Sequence, residues 1–99
     1  MITVPFDGVR GGVQLITTSG TSQSVTVNKH SLSVRFVNTG ANHCHVRIGT
    51  GAQTATTVDT LVRAGSEVIF RKSDGEDTVA ALQITGATTL YIQPGEGGV

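Results

Sequence analysis

Apolar and polar residues alternate singly along much of this chain, and no segment repeats its apolar residues at the spacing of a helix face. Residues 32–38 run Leu-Ser-Val-Arg-Phe-Val-Asn, and residues 43–48 run His-Cys-His-Val-Arg-Ile. Successive side chains of a strand point to opposite faces. The first run therefore sets Leu32, Val34 and Phe36 against Ser33, Arg35 and Val37. The second sets Cys44, Val46 and Ile48 inward, and His43, His45 and Arg47 outward. The 15 threonines and 13 valines agree with this reading. Their β-branched side chains are stiff at χ1 and suit a pleated sheet better than a helix.

The same pattern, broken by turn residues, predicts further strands. Residues 13–17 form the first, before a turn at Ser19-Gly20. Residues 22–27 follow, with Val25 and Val27 on one face. A short connection joins 32–38 to 43–48, so these two are expected to pair as a hairpin. Residues 49–60, small and Thr-rich, read as a long loop. Leu61-Val62 leads through Ala64-Gly65 to a strand over 66–71 that carries Val68 and Phe70 on one face. Asp74-Gly75 is the tightest point of a charged turn. Residues 78–84 are expected to bury Ala80, Leu82 and Ile84, and residues 88–92 to bury Leu90 and Ile92. The expected architecture is all-β: a single antiparallel β-sandwich or jelly-roll-like barrel of about seven or eight short strands, judged from the spacing of strand and turn signals. One domain spans 1–99, with an extended N-terminal arm over about 1–11 and a flexible C-terminal tail over about 94–99.

Composition narrows the function. Seven basic residues balance seven acidic ones. A face that grips a phosphate backbone needs clustered Lys and Arg, so neither nucleic acid nor a charged membrane surface is an expected partner. No apolar run reaches the roughly 20 residues needed to span a bilayer. Met1-Ile2-Thr3-Val4-Pro5 lacks the basic start and apolar stretch of a signal peptide, so synthesis in the cytoplasm is expected. Leu, Ile, Val and Phe total 27 of 99 residues, with no Trp and one Tyr. Such a chain builds a thin core, for which oligomerisation is one remedy. The single cysteine, Cys44, has no partner for an internal disulfide.

Candidate chemistry is sparse. His43 and His45 share a strand face, but a metal centre takes three or four ligands, and no Asp, Glu or Cys stands at strand spacing beside them. No metal or other cofactor is expected. Cys44 points away from both histidines, which removes a Cys–His nucleophile. Asp74, Glu76 and Asp77 lack the spacing of a calcium loop. Nucleophile-elbow, phosphate-cradle and dinucleotide motifs are missing. The chain is therefore expected not to be an enzyme, and catalytic, cofactor-binding and metal residues are each read as none. Phe6 and Tyr91 fall outside the core pattern and suit a subunit contact, where aromatics are enriched.

The stretch Val34-Arg35-Phe36-Val37-Asn38-Thr39-Gly40, then Val46-Arg47-Ile48-Gly49, the Thr-rich segment to Asp59, and the run from Ala87 to Gly97 resemble small proteins of tailed-bacteriophage structural gene clusters. The resemblance covers most of residues 32–98. It implies a virion component, foremost a cement (decoration) protein that sits on the outer capsid surface and stabilises contacts between major capsid subunits. It further implies a β-rich homo-oligomer with a trimer favoured, and assembly in the host cytoplasm. A head–tail connector, a fibre-associated component, and a carbohydrate- or ligand-binding sandwich are the alternatives. The resemblance brings no active-site residues with it.

Overall fold

The computed structural model describes residues 5–98 and contains nine strands among them. They are β1 (Asp7–Gly8), β2 (Gln14–Thr17), β3 (Gln23–Thr26), β4 (Ser33–Asn38), β5 (Cys44–Gly49), β6 (Thr60–Val62), β7 (Glu67–Arg71), β8 (Thr78–Gln83) and β9 (Thr89–Glu96). All pairings are antiparallel. One sheet runs β2-β9-β4-β7, with β1 continuing the β2 edge of β9; the other runs β3-β8-β5-β6. With β1 and β2 counted as one interrupted edge strand, each sheet has four positions, and filling them in this order is the wrapping of a jelly roll. The expected fold class is what the chain adopts.

Wrapping also explains why the expected hairpin is not made. β4 and β5 are consecutive yet lie in different sheets. Residues 39–43 arch across the end of the sandwich instead of turning back within a sheet. Asn38, fully buried, builds that arch. Its Nδ2 donates to the Asn42 carbonyl at 2.9 Å and the Val62 carbonyl at 3.4 Å. Its Oδ1 accepts from the Gly40 amide at 3.2 Å and the Thr88 hydroxyl at 2.6 Å. Its backbone bonds both ways across the β6–β7 connection, to Ser66 and Gly65. One amide side chain thus joins both sheets and two crossovers.

The core lies where the alternation put it for most strands. Val34, Phe36, Cys44, Leu90 and Ile92 are fully buried and pack with Ile16, Val46 and Val62. Phe36 and Phe70 meet at a ring-centroid distance of 5.6 Å, tilted by 56°, a favourable aromatic geometry. Leu32 departs from its expected place: it precedes β4, its side chain is exposed, and its amide donates to Glu96 Oε2 at 2.7 Å. β8 departs as well. Val79 and Ala81 are its inward residues, set opposite Ile48 and Val46, whereas Leu82 is half-buried and Ile84 is 43% exposed beyond the strand. Val79-Ala80-Ala81-Leu82 has no alternation to fix its face, and a slip of one residue exchanges the two sides.

Ala80 is nonetheless buried, because the 50–59 loop crosses the outer face of this sheet. Gln53 accepts from Arg47 Nε at 3.0 Å, and the Ala55 amide reaches Ser22 Oγ at 2.9 Å beside β3. Two aspartates pin the loop. Asp59 Oδ2 accepts from the Thr56 amide at 2.7 Å and hydroxyl at 3.1 Å. Asp77 Oδ1 accepts from the Gly51 amide at 3.1 Å and the Thr78 hydroxyl at 3.0 Å. The Thr56 amide holds the Asp59 carboxyl below the ordinary aspartate range, aided by the Thr56 hydroxyl and Arg47 and opposed by desolvation. The Gly51 amide, with the Thr78 hydroxyl, does the same for Asp77. A carboxyl whose folded pKa is depressed stabilises fully above the unfolded pKa, and that contribution fades as pH falls through the folded value. Acidification below the ordinary aspartate range is therefore expected to lower the hydrogen-exchange protection of the Gly51 and Thr56 amides before that of β4 and β9. Uniform loss across all these amides would refute this local effect.

Of the C-terminal segment expected to be a flexible tail, residues 94–96 are ordered sheet. β9 continues to Glu96, with Pro94 and Gly95 buried. A proline inside a strand lacks the ladder donor. Here Pro94 faces the edge where β1 and β2 are interrupted by a turn over residues 9–13, and its carbonyl accepts from Val9 at 2.9 Å. No amide hydrogen is required at that gap. In the expected arm, residues 1–4 lie outside the described part of the chain, while Asp7 and Gly8 pair with Glu96 and Gly95. The Phe6 ring lies over Gly95, where a Cβ would meet ring carbons at 2.7 and 2.8 Å.

A second buried polar centre holds the charged turn. The Lys72 side chain is buried, and its Nζ donates to the carbonyls of Lys29 at 3.0 Å, Ser73 at 3.2 Å and Glu76 at 2.6 Å. Burial lowers its pKa, against the opposing influence of Glu76, Asp74, Glu96 and Asp77. Gly75, at the point expected to be tightest, has φ of 94°, a conformation glycine adopts without a Cβ penalty.

Candidate interaction surface

The alternation that fills the core also determines the outer face of the β2-β9-β4-β7 sheet. Leu15 pairs with Tyr91, Tyr91 with Val37, and Val37 with Glu67, giving one row across four strands. Gln93, Arg35 and Ile69 make the next row. Leu15 is 51% exposed, Val13 49% and Tyr91 42%. Val13, Arg35, Val37, Tyr91 and Gln93 line a depression of about 260 Å³. Arg35 is held across the sheet by Glu67, with Nε 2.7 Å from Oε2. An apolar floor, an aromatic side chain and a fixed guanidinium are the composition of a protein contact, and polar residues rim it.

Tyr91 stood out in the sequence, and Val37 was placed on the outward face. Val13 and Leu15 were not separated from the core. The signal available was Leu15-Ile16: adjacent apolar residues in a strand must face opposite sides, so one of them is surface.

The histidines do not converge. His43 Nδ1 accepts from the Ala64 amide at 2.8 Å. His45 Nδ1 lies 3.0 Å from the Asp59 carbonyl, to which a protonated Nδ1 donates. His30 is on the far side of the charged turn, 3.3 Å from Asp74 Oδ1. Among the described residues, no three or more His, Cys, Asp or Glu side chains gather as metal ligands. Cys44 is fully buried, and desolvation raises its pKa to about 11, so the thiol is protonated at neutral pH. Sequence reasoning missed Asp59 as a neighbour of this face, because the loop that delivers it carries no periodic signal. Its Oδ1 is 3.5 Å from Arg47 Nη1. The acidic residues of the charged turn diverge: Glu76 caps the Ser73 amide at 2.7 Å, while Asp77 serves the 50–59 loop.

A second concavity, of about 480 Å³, opens at the β6–β7 side of the sandwich. β6 pairs only with Cys44–Val46, whereas β5 runs on to Gly49. Val46, Ile48 and Phe70 line the cleft together with Arg47, Asp59, Arg71 and Glu76. Ile48 and Phe70 point inward and yet keep partial exposure.

No protein-family model matches the sequence, and no curated protein matches it. In fold the chain is similar to a solved structure described as "Bacillus endospore appendages form a novel family of disulfide-linked pili". The match covers 95% of this chain and 89% of that one, at a TM-score of 0.54 and 20% identity. At that identity the likeness concerns the fold.

Proposed function

We propose that this protein is a non-enzymatic structural subunit that works by surface contact. In its most specific form it is a capsid cement protein that binds major capsid subunits from outside. The observation that carries the reading is the apolar outer row Leu15-Tyr91-Val37 beside Arg35. The resemblance of residues 32–98 to tailed-phage structural proteins supplies the particle. A homo-oligomer, with a trimer favoured, would repeat the contact around a capsid symmetry axis. The fold neighbour favours a second reading, a subunit of a filament. Its description speaks of disulfide-linked pili; the single cysteine here is buried and protonated, which supports non-covalent assembly.

Electron cryo-microscopy of native particles carrying the chain tests the proposal. Density is expected on the outer capsid surface, in hundreds of copies. Leu15→Asp and Tyr91→Asp are each expected to weaken capsid binding at least about tenfold, the scale of an interface hot spot. Both positions are exposed, so thermal unfolding should move little. Capsid binding equal to wild type in both variants would overturn the contact. Fibres formed by the purified protein alone would transfer the proposal to the filament reading.

A further inference from the structure

β7 ends its sheet with one side unpaired. Its register against β4 determines which backbone groups are left over. Lys72 donates to the Leu32 carbonyl, and Asn38 to the Ser66 carbonyl. The even-numbered residues on this side are therefore the ones that exchange hydrogen bonds with β4, Phe70 with Val34 and Val68 with Phe36. The N–H and C=O groups of Glu67, Ile69 and Arg71 point away from the sheet, and none of them has a partner among the described residues. Such an edge is a template for another strand unless a proline, a bulge or an inward charge spoils it. β7 has none of these. It reads Glu67-Val68-Ile69-Phe70-Arg71, with an acid and a base placed symmetrically about Ile69. The edge strands β2, β3 and β6 carry no charged residue.

That symmetry fits a second copy of the same strand. An antiparallel pairing of two β7 strands about a two-fold axis at Ile69 sets Ile69 opposite Ile69, Glu67 opposite Arg71, and Arg71 opposite Glu67. All three are pairs that exchange two hydrogen bonds, so every free group of the edge is used. Opposite charges at directly facing positions favour this register. A slip of two residues would break both charge pairs and set a charge opposite Ile69. The charges are available for the contact. Arg35 takes Glu67 Oε2 and leaves Oε1, and Arg71 is exposed, with no ion pair among the described residues. On the inner side Val68 would face Phe70 of the second copy. That gives an apolar neighbour to Phe70, which points inward yet stays partly exposed in the cleft. We propose that the protein forms a two-fold dimer by pairing β7 with β7 of a second copy, an isologous contact that joins the two β2-β9-β4-β7 sheets into one. The contact runs along a sheet edge and does not depend on the capsid reading.

Sedimentation and hydrogen exchange on the full chain test it. A mass of twice the 10.2 kDa of one chain is expected. The Glu67, Ile69 and Arg71 amides should be protected in the dimer and exchange at least about tenfold faster once dilution has separated it, because an unpaired edge leaves them open to water. Glu67→Arg sets Arg against Arg71, and Arg71→Glu sets Glu against Glu67. Each variant alone is expected to weaken dimerisation about tenfold, since like charges then face each other at both ends. An equimolar mixture of the two should restore a dimer holding one chain of each, in which every charge meets its opposite. A chain that stays monomeric, or an oligomer in which the three amides are unprotected, would overturn the proposal. A trimer with those amides open would leave the capsid reading standing and remove this one. Failure of the two variants to form the mixed dimer would overturn the register.

Discussion

Replacing Asn38 by Ala is expected to lower the unfolding free energy by about 3–5 kcal/mol, because each buried partner left unsatisfied costs about 1–3 kcal/mol. The Asn38 amide has two donor hydrogens and two acceptor sites, and all are engaged. Truncation orphans the Thr88 hydroxyl and the Gly40 amide on one side, and the Asn42 and Val62 carbonyls on the other. These groups sit where the two sheets and two crossovers meet, so relaxation of one strains the rest. Asn38→Asp is the sharper variant. It keeps the acceptor and shape, loses the donor, and buries a charge among carbonyls. Urea denaturation at neutral pH checks both. A domain of this size has a total stability of about 5–15 kcal/mol, so either variant should shift the midpoint far down. A loss below about 1 kcal/mol would show that water replaces the amide.

Lys72→Met is expected to cost about 3 kcal/mol, since hydrogen bonds to a charged donor contribute about 1.5–3 kcal/mol each and some of the freed carbonyls regain water. Methionine nearly matches the aliphatic stem, so packing is largely kept and the change isolates the ammonium. Three carbonyls from two loops, Lys29 on one and Ser73 and Glu76 on the other, converge on Nζ. Removing it should loosen the 28–31 and 72–77 segments together. Hydrogen exchange at the Gly75 amide, which donates to the Lys29 carbonyl at 2.8 Å, reports that loosening. Loss confined to one of the two loops would argue against a shared clamp.

These two centres mark how far sequence reasoning reached. Faces were legible wherever side chains differ in kind along a strand: Val34 and Phe36 against Arg35, Leu90 and Ile92 against Tyr91. They were illegible over 79–82, where two alanines fit either side. Pairing was less legible than faces. The five residues between β4 and β5 suit a hairpin in length; what sends them across the sandwich is the buried Asn38, whose partners come from positions 40, 42, 62 and 88. Long-range partners of a polar side chain leave no local pattern. Lys72 escaped notice for a similar reason, as one more charge in a charged turn. Pro94 and its glycine neighbours read as breakers because the gap that tolerates them lies in a different segment, 9–13. Of the interaction surface, Tyr91 was visible as an aromatic out of place. Leu15 and Val13 needed the strand register before they could be assigned to the outside.

The position of β9 in the sheet has a kinetic consequence. It pairs β1 and β2 on one side and β4 on the other, yet it comes after all of them in the chain. Gln14 must wait for Ile92, and Ser33 for Gly95. Non-local pairing of this kind slows folding, since loop-closure entropy is lost before contacts repay it. During synthesis β2 and β4 emerge long before the strand that separates them, so their edges stay open to other chains. Completion of this sheet waits for β9, and variants weakening β9 should lower soluble yield more than their equilibrium stability accounts for.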